Sequence, residues 1–204
     1  VVTGKNSPEW AIAYLGTLFA GATVVPLDYA MAEEQLRSLA EFSEVRAAFV
    51  DAEKRSAFEG RKPRLKQLYS LAPDHPNYIL ELSPDKEPEP PETEEDDLAA
   101  ILFTSGTMGN PKGVMLSHRN LVSDCYLAQK HLEIRAQDVF YALLPIHHSY
   151  TMLAVFLEAI SVGAEIVFGK RLAIAQILED LKKGKVTMFL GVPALFNRII
   201  KGIN

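Results

Sequence analysis

Residues 104–118, TSGTMGNPKGVMLSH, concentrate backbone donors, hydroxyls and charge in one short stretch. It holds the glycines Gly106, Gly109 and Gly113, the hydroxyls of Thr104, Ser105 and Thr107, and one ammonium, Lys112. Glycines permit positive φ and close backbone approach, so successive N–H groups can turn toward one anion. An ammonium at hydrogen-bond distance from a phosphate contributes on the order of 1–4 kcal/mol near a surface, and the neutral donors add positioning. The spacing departs from two commoner phosphate loops. A Walker-type loop needs glycine, four residues, then Gly-Lys-Ser/Thr. Here Gly106 is followed after four residues by Pro111-Lys112-Gly113. The dinucleotide fingerprint fails too, because Gly106-Thr107-Met108-Gly109 lacks its Gly-x-Gly spacing. On composition alone, a plain turn of glycine, asparagine and proline competes with the phosphate reading.

The elements around this loop must position it. The apolar run LAAILFT (98–104) predicts a buried strand before it, and 117–132 predicts a helix after it. Toward the chain start, Ser7, Pro8 and Glu9 form a helix-start signal for a helix running to about Phe19. Strands are expected at 23–27 and 46–50, with a helix over 32–44 whose Leu36, Leu39, Ala40 and Phe42 fall near helical spacing. Beyond the loop, strand and helix alternate: 139–145, 150–163, 164–169, 172–185, 186–191 and 193–200. Such alternation predicts an α/β fold of mostly parallel sheets flanked by helices. Between the two runs, residues 84–97 carry eight acids and four prolines and predict a solvated, extended connector. The expected organisation is a first α/β part (1–83), this connector (84–97), and a second α/β part (98–204) carrying the loop.

Bulk properties bound the function. The chain has 204 residues, 48% hydrophobic and 23% charged, long enough to bury a core. Its net charge of −5 gives no basic face for nucleic acid. The single cysteine, Cys125, cannot form an internal disulfide and is expected as a buried apolar residue. The uncharged stretches 10–27 and 139–157 are broken by Gly16, Gly21 and Pro26 and by Pro145, and read as helix–strand and strand–loop–helix rather than membrane spans. A cytoplasmic location is expected, with peripheral membrane contact left open. His75 and His131 match no motif and are read as surface residues. The chain opens on VVTG and closes on FNRIIKGIN, as a portion of a longer protein would.

The loop resembles the phosphate-loop signature of the adenylate-forming superfamily: AMP-binding acyl-CoA synthetases, luciferases and peptide-synthetase adenylation domains. The match runs in register through Thr104-Ser105-Gly106-Thr107, Gly109, Pro111-Lys112-Gly113 and His118. The family usually has Thr, Ser or Glu where this chain has Met108, a departure that bears on nucleotide affinity. PIHHSYTM (145–152) resembles the family segment in which a histidine, here His148, follows the proline by three positions. Thr151 stands where the family commonly has glycine. Residues 7–28 resemble the family's early helix and glycine turn.

The resemblance implies part of a large N-terminal domain and two half-reactions. A carboxylate attacks the α-phosphate of ATP, giving an acyl-adenylate and pyrophosphate; a thiol, usually of coenzyme A, then displaces AMP. It implies that Thr104, Ser105, Gly106, Thr107, Gly109 and Lys112 hold the phosphates and that His148 places the carboxylate. His148 and Tyr150 would line the acyl pocket. ATP, Mg2+ and coenzyme A are implied, with no magnesium ligand evident. The family's Tyr-Gly-x-Thr-Glu and Thr-Gly-Asp segments do not occur, nor does its C-terminal domain, so these 204 residues alone are expected to be inactive. A fatty acid is the favoured substrate. The alternatives are a peptide-synthetase adenylation domain and a non-catalytic nucleotide-binding module. His147-His148-Ser149-Tyr150, where adenylation domains often carry a Phe-Asp pair, favours an apolar acid.

Overall fold

The computed structural model describes residues 1–60, 64–83, 89–104 and 111–203. The chain forms two compact units, Val1–Asn120 and Leu121–Asn204.

In the first unit, β1 (Val2–Thr3), β2 (Ala47–Val50) and β3 (Gln67–Ser70) pair in parallel in that order. The expected strand at 23–27 is reduced to two single bridges, Val2 with Pro26 and Val24 with Ala100. Those bridges tie the three-stranded sheet to β4 (Leu98–Thr104), whose partner β5 (Lys112–Ser117) runs antiparallel. Helix α1 (Pro8–Phe19) starts as its signal predicts: the Ser7 hydroxyl accepts from the Trp10 N–H at 3.1 Å. Its inward face places Trp10 and Tyr14 in the core, rings 5.4 Å apart and stacked. Ser7→Ala removes this cap and is expected to cost about 1 kcal/mol, read as a fall in Tm of about 2–4 °C by circular dichroism. Helix α2 (Glu33–Phe42) buries Leu36, Leu39 and Ala40. Phe42, expected on the same stripe, is instead 74% exposed and meets Phe103 edge-on at 6.2 Å. It is the last residue of α2, where the apolar stripe has turned away from the core.

The expected connector divides. Residues 84–88 lie outside the described set, while 89–97 run exposed and without helix or strand. Their end is tied down at the start of α3 (His118–His131). Arg119 pairs with Asp96 at 2.8 Å and Glu95 at 2.7 Å. These ion pairs are exposed and contribute little energy, but they fix where the chain enters β4.

The second unit is built on β6 (Val139–Ala142) and β7 (Glu165–Phe168), which pair in parallel. Residues 186–191, expected as a strand, supply one bridge, Met188 to Phe140. The helical run between β6 and β7 is not uniform. α4 (Ser149–Thr151) passes into a π-helical segment (Met152–Leu157) and then α5 (Glu158–Val162). It ends at Gly163, whose φ of 74° supplies the left-handed cap. Met152, Val155, Phe156 and Ala159 are buried along it. α6 (Ile174–Lys183) and α7 (Pro193–Ile203) complete the unit. Around Tyr141, Ile177 and Leu195 gather Phe189, Val167 and Leu181. No helix among the described residues is long and apolar enough to cross a membrane.

Candidate functional site

The stretch expected to hold phosphates is flanked differently from what the sequence predicts. The sequence predicts a loop that joins a strand to a helix; in the fold a second strand, β5, comes directly after it. β4 and β5 form an antiparallel hairpin whose last register pair is Thr104 with Lys112. The loop residues between are Ser105, Gly106, Thr107, Met108, Gly109 and Asn110, with Pro111. Ser105, Gly106, Thr107 and Gly109, expected at the phosphates, lie outside the described residues. Thr104 and Lys112 are described, and both are exposed at the hairpin mouth. Facing residues in such a pair have Cβ atoms about 4.5–5.5 Å apart. Thr104 and Lys112 thus stand opposite each other where the loop begins and ends.

The stem behind this mouth is packed into the first unit. Ala99, Ala100 and Leu102 are buried, and Val24 donates to Ala99 and accepts from Ile101 at 2.9 and 3.0 Å. Ile101 and Phe103 pack against the first unit's apolar core. Gly113 faces Phe103, and a Cβ there would meet Ile101 Cγ2 at 2.9 Å. The glycine of Pro-Lys-Gly therefore admits side chains from β4, a packing role that the sequence pattern does not reveal.

The helix after β5 offers no anion site at its start. The His118 N–H donates to Asp97 O at 3.1 Å and the Arg119 N–H to Glu95 O at 2.7 Å. The Asn120 N–H donates to the Ser117 hydroxyl at 3.2 Å. These first-turn donors already have partners within the protein.

The histidine segment belongs to the second unit. Pro145–Ile146–His147–His148 is a tight turn closed by the His148 N–H on Pro145 O at 3.3 Å. Ile146 is fully buried and anchors it. The two imidazoles lie 4.1 Å apart at 47°; His148 is exposed, His147 half-buried. His148 occupies the cap position of α4 with extended backbone and no side-chain capping bond, leaving its ring for other partners. Tyr150 is 51% exposed. Thr151, to which the sequence assigns no site role, is buried and bonded back into the turn. Cys125 is buried as expected, and burial, aided by the Glu158 and Asp124 charges, pushes its thiol up to about 11.

A cavity of about 510 Å³ lies in the first unit beside α2, lined by Arg37, Glu41, Phe58 and Arg64 among others. None of the expected site residues that are described lines it. None of the residues assigned to the phosphates is a carboxylate; the side-chain oxygens they offer are hydroxyls.

The family model "AMP-binding enzyme" matches residues 1–204. The long-chain-fatty-acid–CoA ligase 1 of Cavia porcellus is 30% identical over 232 residues, covering 99% of this chain and 32% of that protein. The 4-coumarate–CoA ligase 2 of Petroselinum crispum is 34% identical over 211 residues, covering 96% and 38%. Among solved structures, ATP-bound MatB from Rhodopseudomonas palustris superposes with a TM-score of 0.82 at 27% identity, covering 98% of this chain and 40% of that one. The chain thus spans roughly a third of the length of these curated relatives. With the family model matched from the first residue to the last, the chain belongs to the AMP-binding enzyme family.

Proposed function

We propose that this chain is the phosphate-holding part of the N-terminal domain of an AMP-forming acyl-CoA ligase. The observation that carries the reading is the pairing of Thr104 with Lys112 across the mouth of the β4–β5 hairpin. Lys112 neutralises phosphate charge, and Thr104, with Ser105, Gly106, Thr107 and Gly109, orients the β- and γ-phosphates. His148 places the substrate carboxylate for attack on the α-phosphate. The bond formed joins carboxylate oxygen to phosphorus, and pyrophosphate leaves. A carboxylate resists nucleophiles, whereas the resulting mixed anhydride accepts a thiol, and coenzyme A then displaces AMP. The chain's share of this work is positioning and charge stabilisation. Magnesium is implied by the chemistry of ATP and would neutralise part of the triphosphate charge.

The substrate is an apolar carboxylic acid. The apolar helical run after His148 supports that class, as do relatives named for long-chain fatty acids and for 4-coumarate. A fatty acid is the first choice; the relatives named for 4-coumarate favour an aromatic acid as the second. ATP–pyrophosphate exchange in the complete enzyme, run with acetate, octanoate, palmitate and 4-coumarate, separates them. Stimulation by octanoate or palmitate is the expected result, and stimulation by 4-coumarate alone selects the aromatic acid. Exchange with none of them overturns the apolar-acid reading. His148→Ala is expected to lower kcat/KM for the acid by about 10–100-fold, the scale of a lost positioning contact. KM for ATP should change far less; an equal effect on both substrates would remove His148 from the carboxylate.

A further inference from the structure

We propose that Thr151 is a positioning residue, whose buried hydroxyl locks the Pro145–His148 turn and so sets where His148 presents its imidazole. The inference rests on the reading of His148 as the group that places the carboxylate.

Thr151 is 2% exposed, so its hydroxyl must find its partners inside the protein. It is the third residue of α4 and could have turned its oxygen to the preceding carbonyl alone, as threonines in helices do. Instead Oγ1 donates to Pro145 O, six residues back, with His148 O at 3.4 Å as a lesser neighbour. Pro145 O also accepts the His148 N–H at 3.3 Å. A carbonyl has two lone pairs, so one oxygen closes the turn from both sides. The His148 carbonyl in turn accepts the Met152 N–H at 2.8 Å. The backbone of His148 is thus held through its N–H, and through its carbonyl by the helix that Thr151 pins to the turn. The imidazole makes no capping bond, so this backbone fixes its origin. Glycine, common here in the family that the segment resembles, carries no hydroxyl and leaves Pro145 O to the His148 N–H alone. In this chain the hydroxyl supplies a restraint on the catalytic turn.

The test is a mutant cycle in the complete enzyme. Thr151→Val swaps the hydroxyl for a methyl at similar size, and Thr151→Ser keeps the hydroxyl. Thr151→Val is expected to raise KM for the acid about ten-fold, the scale of a misplaced reacting group, with KM for ATP within about two-fold. Thr151→Ser should stay close to the parent. In a His148→Ala background, Thr151→Val should add nothing to the acid KM, because it acts through His148. Additive effects of the two substitutions, equal shifts in both KM values, or a silent Thr151→Val each overturn the proposal. If Thr151→Val does not fold, Thr151→Ala takes its place in the cycle. A silent His148→Ala overturns the reading of His148 itself, a result distinct from failure of the lock.

Discussion

Replacing Lys112 with alanine is expected to cut ATP–pyrophosphate exchange in the complete enzyme by about 10–100-fold, while leaving the fold intact. The size comes from the interaction removed. A hydrogen bond to a charged group contributes about 1.5–3 kcal/mol, and each 1.4 kcal/mol is about a factor of ten in rate. Lys112 opens β5 opposite Thr104, and its side chain is exposed, so its removal leaves no cavity. Tm should therefore match the parent. The loss should fall on steps that engage the triphosphate, seen as a raised KM for ATP with little change in KM for the acid. Lys112→Arg keeps the charge on a planar, larger head and should recover part of the activity. Unchanged exchange in Lys112→Ala would remove the lysine from the phosphates.

The surroundings of that lysine mark the reach of sequence patterns. The stretch from Thr104 to Gly113 resembles the phosphate loop of the adenylate-forming family, yet spacing is silent on the element after the loop. KGVMLS does not read as a strand because its burial does not alternate: Lys112, Gly113, Val114 and Met115 are exposed and only the last two residues are half-buried. Apolar periodicity identifies strands by their buried face, and an edge strand lacks one. β3 escapes the same pattern because Gln67–Ser70 is short and comes after a polar stretch. Conversely, Val24 and Met188 sit in apolar runs that promise full strands and make single bridges. An apolar run without alternation does not separate a strand from a packed loop. The start of α1 is fully legible, since Ser7, Pro8 and Glu9 act through local chemistry. The π-helical segment is not, because one residue of extra turn over Met152–Leu157 leaves no mark on a pattern read at 3.6 residues. At the site, spacing picks out residue types. The bonds that hold them, such as Thr151 to Pro145 or the carbonyls of Glu95 and Asp97 at α3, depend on chain returns that spacing does not encode.

Glu158 is a further residue whose meaning depends on its surroundings, and it leads to the second large effect. A lone acid in an apolar helix reads as a surface position. Here Glu158 is 1% exposed, and among the described residues no donor meets either carboxylate oxygen in good hydrogen-bonding geometry, although the Gln129 and Cys125 side chains lie near it. Burial is the main cause holding its carboxyl above the ordinary range; the nearby Gln129 and Cys125 side chains pull it back, and the Asp124 charge pushes it further up. In the unfolded chain the group ionises near about 4.3, whereas the folded protein keeps its proton to higher pH. Its neutral form thus favours the fold fully below the ordinary carboxyl range, and that contribution is lost as pH rises through the folded value. Leaving an ionised carboxylate buried without a partner costs about 1–3 kcal/mol or more, and each kcal/mol moves Tm by about 2–4 °C in a chain of this length. Glu158→Gln keeps the shape and cannot ionise. The gap between the Tm of the variant and that of the parent should therefore widen in the variant's favour from about pH 4 to pH 8, by several degrees in all. Other groups titrate over that range, but they are shared by both proteins and cancel in the difference. A gap that stays constant with pH would mean that Glu158 ionises as freely in the folded protein as in the unfolded chain, and its burial would then carry no electrostatic cost.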